Sequence, residues 1–506
     1  MSNKIRSEMD ELRRRLQIVN DLNGAGAVLY WDQATYMPSG GTAARGRRMA
    51  TLTRLAHERF TDPGVGKLLD ALQPYAESLP ADSDDAALWR VTRRQYDRAT
   101  RVPADFMAEI TAHASESYDV WTHARPANDF AAVRPFLEKT VALSRGYADF
   151  FPEIDHPADA HIAEADYGMT VAQIRPLFAE LQDALTAMTD VISRREPVDD
   201  AMLRQAYPID AQQAFGEKVI RAYGYDFKRG RQDLSPHPFS IALAIDDVRI
   251  TTRFKERDFN EGLFSTLHES GHAMYEQGID PALAGTPLAD GTSAGVHESQ
   301  SRLWENMVGR SRGFWRYYYP RLQAAFPDQL GRVEEEAFYR AINKVMRSLI
   351  RTDADEVTYN LHVIIRFGLA MDVLEGTVSV ADLPAVWHAR YEEALGVRAP
   401  DDRDGVLQDV HWYGGLMGGS FQGYTLGNIM GAQFFAAAVA QQPAIPEEIA
   451  RGEFGPLHEW LRANIYRHGS KFTADELLER ATGGPLQLGP YLEYLRKKFG
   501  EIYGEL

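Results

Sequence analysis

Cysteine is absent from all 506 residues. Disulfides, thiolate nucleophiles and cysteine-ligated metal centres are therefore excluded, and the absence fits a reducing compartment. No run of about 18 apolar residues occurs, so no membrane-spanning helix is expected. The opening stretch MSNKIRSEMDELRRRLQIVNDL lacks the apolar centre of a secretory signal and carries both charge signs, which makes the cytoplasm the expected location. Positive charge is in short supply: 55 Lys and Arg stand against 72 Asp and Glu, a formal net charge of −17. A surface that acidic repels phosphate backbones, so nucleic acid is not an expected partner. Linkers rich in Pro, Gly and Ser, low-complexity tracts and fixed-period repeats are also missing. Length alone would suggest about three domains, but without such boundaries one continuous body over residues 1–506 is expected.

What is present is the composition of a globular protein with a sizeable core: 44% apolar and 25% charged residues. Ile5, Met9, Leu12, Leu16, Val19 and Leu22 recur at spacings of three and four, the stripe of an amphipathic helix. The same periodicity predicts helices over about 84–100, 104–124, 127–150, 170–195, 209–223, 258–278, 297–320, 333–349, 354–377, 381–395, 428–440 and 456–466. One strand is expected in ALAIDDVRITTRF, where Val248, Ile250 and Thr252 alternate with Arg249 and Thr251. The predicted architecture is mostly α-helical with a small sheet near the middle of the chain.

The segment FSTLHESGHAMYEQG, residues 264–278, places two histidines four apart with a glutamate after the first. Asp258 and Glu261 suggest a capping box before it, and Gly278 a left-handed terminator after it. Leu263, Phe264, Leu267, Gly271 and Met274 form the apolar stripe; Ser265, His268, Glu269, His272 and Glu276 form a polar one. One turn apart on a helix, His268 and His272 can converge on one ion roughly 2 Å from each ring. Glu269 lies about 100° around the axis, beside such an ion, where it can take a proton from water.

A catalytic zinc usually keeps three protein ligands and one open position. Glu276 lies about 6 Å farther along the axis from His272, too far to join both rings. The segment GVHESQSRLWENMVG offers Glu298 and Glu305 on a second amphipathic helix, and spacing does not choose between them.

Seven segments taken in order resemble the carboxypeptidase Taq family of metallocarboxypeptidases. They are YWDQATYMP from Tyr30, YGYDFKRGRQDLSPHPF with its His-Pro-Phe at His237, DVRIT from Asp247 and HESGH from His268. HESQSR from His297, IRTDADEVTYNLHVIIRF from Ile350 and GVLQDVHW from Gly405 complete the set. After IIRF the chain reads GLAMDVLEG, where the family carries a more acidic continuation. The resemblance implies Glu298 as third ligand. It also implies an elongated, saddle-like helical body with a deep central groove, a homodimer, and zinc or cobalt as the ion. The first 80 or so residues are expected to form a cap over the groove.

The implied reaction is removal of single C-terminal residues, with broad specificity, from peptides bearing a free C-terminus. Glu269 is the expected general base. Tyr424, in SFQGYTLGN, and His411 are candidates to stabilise the oxyanion. A guanidinium suits a terminal carboxylate, and Arg351, Arg366 and Arg249 all lie in matching motifs. Arg351 is favoured for that role, Arg249 could brace the closed end of the groove, and His237 could line the site. Glycines 414, 415, 418, 419, 423 and 427 lack a following Lys-Ser/Thr and read as close backbone approach rather than a phosphate loop. Two rivals share these residues: a zinc endo- or oligopeptidase of related groove architecture, and a helical binding protein without activity.

Overall fold

The computed structural model describes residues 3–506. Helices dominate from end to end, with one three-stranded sheet between residues 232 and 252. The first helix, Asn3–Thr35, extends the expected stripe by more than three turns and buries Met9, Leu12 and Leu16. Helices Thr42–Phe60 and Pro63–Glu77 follow. The first of these buries only Arg45 and Ala56, so it offers no apolar stripe to read. The second begins on Pro63, as Pro157–Ala165 begins on Pro157. Proline at the first helical position costs no hydrogen bond, and there it starts a helix rather than breaking one.

The expected helix over 297–320 is three pieces: an α-helix Ala294–Arg302, a π-helical turn Leu303–Val308, and an α-helix Arg312–Ala325 capped by Ser311. The expected helix over 333–349 stops at Ile342. There Asp355 draws in the Met346 N–H along with those of Val357 and Thr358, competing with helix continuation. Beyond IIRF the helix Tyr359–Glu375 runs on without a break, and Asp372 pairs with Arg390.

The single expected strand is a hairpin. Strand β2, Ser240–Ala244, runs antiparallel to β3, Asp247–Thr252, with an irregularity between Ala242 and Ala244. A short strand β1, Gln232–Leu234, joins β3 in parallel, giving the order β1-β3-β2. Val248 and Ile250 are fully buried. Thr266, on the helix Phe259–Gly278, meets the sheet through Gln232 Nε2 at 2.9 Å.

The principal core runs through most elements and encloses Trp304, Trp315 and Trp387 completely. Burying a large apolar side chain stabilises the fold by about 1.5–3 kcal/mol. A second cluster joins Leu12, Leu16, Leu69 and Leu88 of the N-terminal helices to Ile245, Ile279, Leu283 and Leu288. The N-terminal helices thus pack against the sheet and the segment after the histidine helix. Trp31 lies under the Arg249 guanidinium at 4.3 Å, and Tyr30 meets Phe239 edge-on at 5.5 Å.

Candidate metal centre and arginine wall

The helix Phe259–Gly278 begins at Asp258, whose carboxylate accepts from the Glu261 N–H at 3.4 Å. The cap is not reciprocal, because Glu261 pairs with Arg253 and Lys255 instead. Gly278 is not left-handed; it is the last helical residue, and a Cβ there would lie 2.6 Å from Tyr466. The helix needs glycine at its end for packing, not for backbone conformation.

Midway, Gly271 lets the second helix cross at backbone contact. An added Cβ would sit 2.6 Å from the Gln300 carbonyl oxygen and from Ser301 Cα. From the other side the helix Gln422–Gln441 presses Gly427 onto Glu298, where an added Cβ would lie 2.6 Å from Glu298 Cβ and Cγ. Buried Asp166 ties these elements together, accepting from the Gly295 N–H at 2.7 Å and Gln422 Nε2 at 3.0 Å. Three helices therefore converge on one point, and Glu298 is driven toward the histidines.

His268 Nε2 and His272 Nε2 both face Glu298 Oε2, at 3.6 and 3.4 Å. Donor atoms of the three residues lie within 4.8 Å of one another. Bonds of about 2.0–2.1 Å in a tetrahedral site would separate neighbouring ligand atoms by roughly 3.3 Å. The spacing and the two-nitrogen, one-oxygen donor set therefore fit a divalent ion.

Each donor is held from behind. His268 Nδ1 lies 3.0 Å from Glu305 Oε2, so Glu305 backs His268 and stands outside the three-donor cluster. The π-helical turn sets it there by shifting the helical register after Arg302. Arg302 bridges the two glutamates, at 2.7 Å to Glu298 and 3.4 Å to Glu305, and Arg310 adds a contact at 3.2 Å. Burial opposes ionisation of both carboxyls. The Arg302 charge outweighs it at Glu298, and the His268 hydrogen bond followed by Arg302 outweighs it at Glu305, holding both below the usual range. His272 Nδ1 meets His297 Nδ1 at 2.6 Å, and His297 Nε2 meets Glu276 Oε1 at 2.7 Å. Burial pushes His272 down to about 3. Glu269 is buried beside this group with no hydrogen-bond or ion-pair partner among the described residues. Burial, aided by the Glu298 and Glu305 charges against His268, pushes it up to about 7.

A second wall adjoins the first through Tyr359, which has Arg302 over its ring at 4.4 Å and whose hydroxyl oxygen accepts from Arg351 Nη1 at 3.1 Å. Asp409 is the hub of this wall. It accepts Arg351 Nε and Nη2 at 2.9 and 3.1 Å, Arg366 Nε at 2.5 Å and His411 Nδ1 at 2.8 Å. His411 Nε2 in turn meets the Tyr424 hydroxyl at 3.2 Å. Arg351 lies 5.2 Å over the Tyr424 ring. His237 is exposed at the surface; partial desolvation, then the nearby charges of Arg253, Arg351 and His411, lowers its pKa.

Arg366 sits differently from the sequence expectation, and Arg249 makes contacts apart from the hub. Arg366 is fully enclosed, with Asp409, Gln408, the His362 carbonyl and Tyr391 taking its donors, so it has no face for a substrate carboxylate. Arg249 pairs with Asp247 at 2.7 Å and stacks on Trp31, away from the Asp409 hub. Of the glycine cluster, Gly419 and Gly427 are sites of close approach, whereas Gly415 has open space around it. Sequence reading missed the supporting parts: Arg302, Arg310, His297, Glu276 in its actual contact, and Asp409. His297 and Arg302, inside HESQSR, and Asp409, inside GVLQDVHW, stood in motifs that could have flagged them.

Residues 11–499 match the family described as carboxypeptidase Taq (M32) metallopeptidase. The chain is 43% identical over 494 residues to thermostable carboxypeptidase 1 of Thermus thermophilus, covering 96% of each. It is 34% identical over 489 residues to carboxypeptidase 1 of Bacillus subtilis, covering 96% of this chain and 97% of that one. Among solved structures, an M32 carboxypeptidase from Deinococcus radiodurans superposes with a TM-score of 0.96 at 53% identity, over 98% of this chain and all of the other.

Proposed function

The chain belongs to the carboxypeptidase Taq (M32) family and is a metallocarboxypeptidase; from that premise we propose that it removes single C-terminal residues from peptides of broad sequence, with zinc held by His268, His272 and Glu298. When bound, the ion supplies Lewis acidity to the scissile carbonyl and acidifies water. Glu269 takes the proton from the attacking water. As the water oxygen adds to the carbonyl carbon and the C–N bond breaks, Glu269 passes that proton to the departing amine nitrogen. Tyr424 and His411 donate to the oxygen on which negative charge develops. Arg351 receives the terminal carboxylate, flanked by His237. Arg366 keeps Asp409 in place behind Arg351, and Arg249 braces the groove beside the N-terminal helix.

One observation carries this reading: beside the metal donors, two guanidiniums share the single carboxylate of Asp409. The wall holds one positive charge more than it neutralises internally, which suits a substrate that brings a carboxylate of its own. An endopeptidase needs no such charge. Digesting one peptide with a free and with an amidated C-terminus tests the proposal. Single-residue shortening of the free form alone is expected; equal internal cleavage of both would overturn it.

The proposal extends to cobalt as a working substitute, because a nitrogen-rich site with one carboxylate accepts it. It extends also to a single catalytic domain capped by the helices through about residue 80. Contacts of Tyr30 and Trp31 with Phe239 and Arg249, inside two of the motifs, support that cap. The homodimer rests on the family resemblance alone, and sedimentation equilibrium tests it directly.

A further inference from the structure

His268 and His272 lie one turn apart, yet different groups stand behind them. Glu305, a carboxylate, backs His268. Behind His272 stands another imidazole, His297, and only behind that a carboxylate, Glu276. Proton positions in this chain follow from the contacts. His272 turns Nε2 toward Glu298, so a ligating Nε2 must be bare and Nδ1 must carry the proton. Nδ1 of His272 then donates to Nδ1 of His297 across 2.6 Å, since two protonated nitrogens at that distance would clash. His297 must carry its own proton on Nε2, which points at Glu276 Oε1, 2.7 Å away.

We propose that His297 and Glu276 are positioning residues for the metal centre: a two-membered relay that fixes the tautomer and ring orientation of His272 and, through polarisation, its strength as a ligand. This rests on the reading of His268, His272 and Glu298 as the metal ligands. The relay ring is closely fitted. His297 lies between His272 and Tyr275, with ring centroids 4.7 and 5.2 Å away. Gly291 faces its edge, where an added Cβ would come within 2.6 Å of Cδ2. Glu276 is nearly sealed, and it borders a cavity of about 490 Å³ between the first helix, strand β2 and residues 286–290. Among the described residues, His297 and Glu276 make no hydrogen bond or ion pair with the arginine wall; their side-chain hydrogen bonds run to His272 and to each other.

Hydrogen-bonding partners behind a ligating histidine typically change metal affinity by about 10–100-fold when removed. Shape and chemistry can be separated at residue 297. His297→Phe keeps the ring and loses the acceptor; His297→Gln loses the ring and keeps an amide that can accept from His272 and donate to Glu276. The measurement is the zinc dissociation constant, from competition with a chromophoric chelator, alongside thermal unfolding of the metal-free proteins. His297→Phe is expected to weaken zinc binding by about 10–100-fold and His297→Gln by several-fold only. Glu276→Gln should weaken it in the wild-type background and add nothing in the His297→Phe background, because Glu276 acts only through His297. Wild-type affinity in His297→Phe, or an undiminished Glu276→Gln effect in that background, would overturn the relay. If His297→Phe does not fold, Glu276→Gln alone decides, and unchanged affinity there overturns it equally. A wild-type protein that bound no zinc would instead overturn the assignment of the ligands.

Discussion

Asp409→Asn removes one negative charge from a hub that serves three positive or donating side chains. Asn has nearly the same shape, so packing is kept and electrostatics is what changes. Arg366 is fully enclosed and Arg351 is 8% exposed, so both guanidiniums would remain in place without their counter-ion. The amide would also point a donor at one of them. Breaking a buried ion pair by removing one partner costs about 3–5 kcal/mol. With an unfolding entropy of about 2.1 cal/mol/K per residue, a cooperative chain of this length would lose roughly 3–5 °C in Tm. Asp247→Asn is the contrast. Its pair with Arg249 has a carboxylate 40% exposed, and exposed pairs contribute about 0–1 kcal/mol. Scanning calorimetry of both variants gives the comparison, and steady-state kinetics on a free-C-terminal peptide gives the second readout. Arg351 loses its two-point restraint in Asp409→Asn, so KM should rise by about tenfold or more, the equivalent of one good charged hydrogen bond. Equal Tm losses in the two variants, or an unchanged KM in Asp409→Asn, would refute the hub.

Glu269→Gln should hold one zinc per chain and lose about 10²–10⁴-fold in kcat; metal analysis finding the ion gone would make Glu269 a ligand instead. Gly427→Ala would drive a methyl into Glu298, costing about 1–3 kcal/mol of stability and weakening zinc binding, and wild-type Tm and affinity would contradict the close approach. Burial pushes His161 down to about 4, while its Nε2 holds the Ser144 carbonyl at 2.9 Å. As pH falls below about 6.5 the unfolded chain takes a proton that folded His161 refuses, so its contribution declines by ~1.4 kcal/mol per pH unit until near pH 4. His161→Phe should flatten the fall in Tm over that window, and an unchanged slope would exclude this residue as a cause.

An apolar face made many helices legible, although Pro63–Glu77 and Gly489–Tyr503 bury such faces and were not among those expected. The stripe at Leu263, Phe264, Leu267 and Met274 is buried as its spacing requires. Thr42–Phe60 escaped because its burial is nearly nil, and Ala474–Thr482 because it is short, although Thr473 and Glu476 form a full capping box. The break at Gly309 to Ser311 was illegible for another reason: a helical period continues across it in the sequence, and only the π-helical turn reveals the change of register.

The site divides along the same physical line. His268 and His272 share one helix, so their spacing alone fixes their geometry. Glu298 and Glu305 looked equivalent because the choice between them depends on how two helices cross, and Gly271 and Gly427 decide that by backbone contact. Asp409 meets Arg366 and Arg351 across 43 and 58 residues, and no local pattern encodes such a pairing.

The two walls have opposite polarity, which gives the groove a direction. Around the metal donors, Glu298 and Glu305 pair with Arg302 and Arg310, Glu276 meets His297, and Glu269 has no partner among the described residues. Carboxyl groups therefore outnumber guanidiniums there, an excess that a divalent cation offsets. Across Tyr359, Arg351 and Arg366 face only Asp409, a surplus that a carboxylate offsets. Tyr359 separates the two while touching both, with Arg302 and Arg351 at 4.4 and 6.0 Å from its ring. Neither imbalance relaxes into the other, because Glu298, Glu305, Arg302 and Arg310 are hydrogen-bonded together on one side and Arg351, Arg366 and Asp409 on the other. On the function proposed above, a peptide lying across Tyr359 would place its carboxylate on the arginine side and the adjoining amide on the metal side.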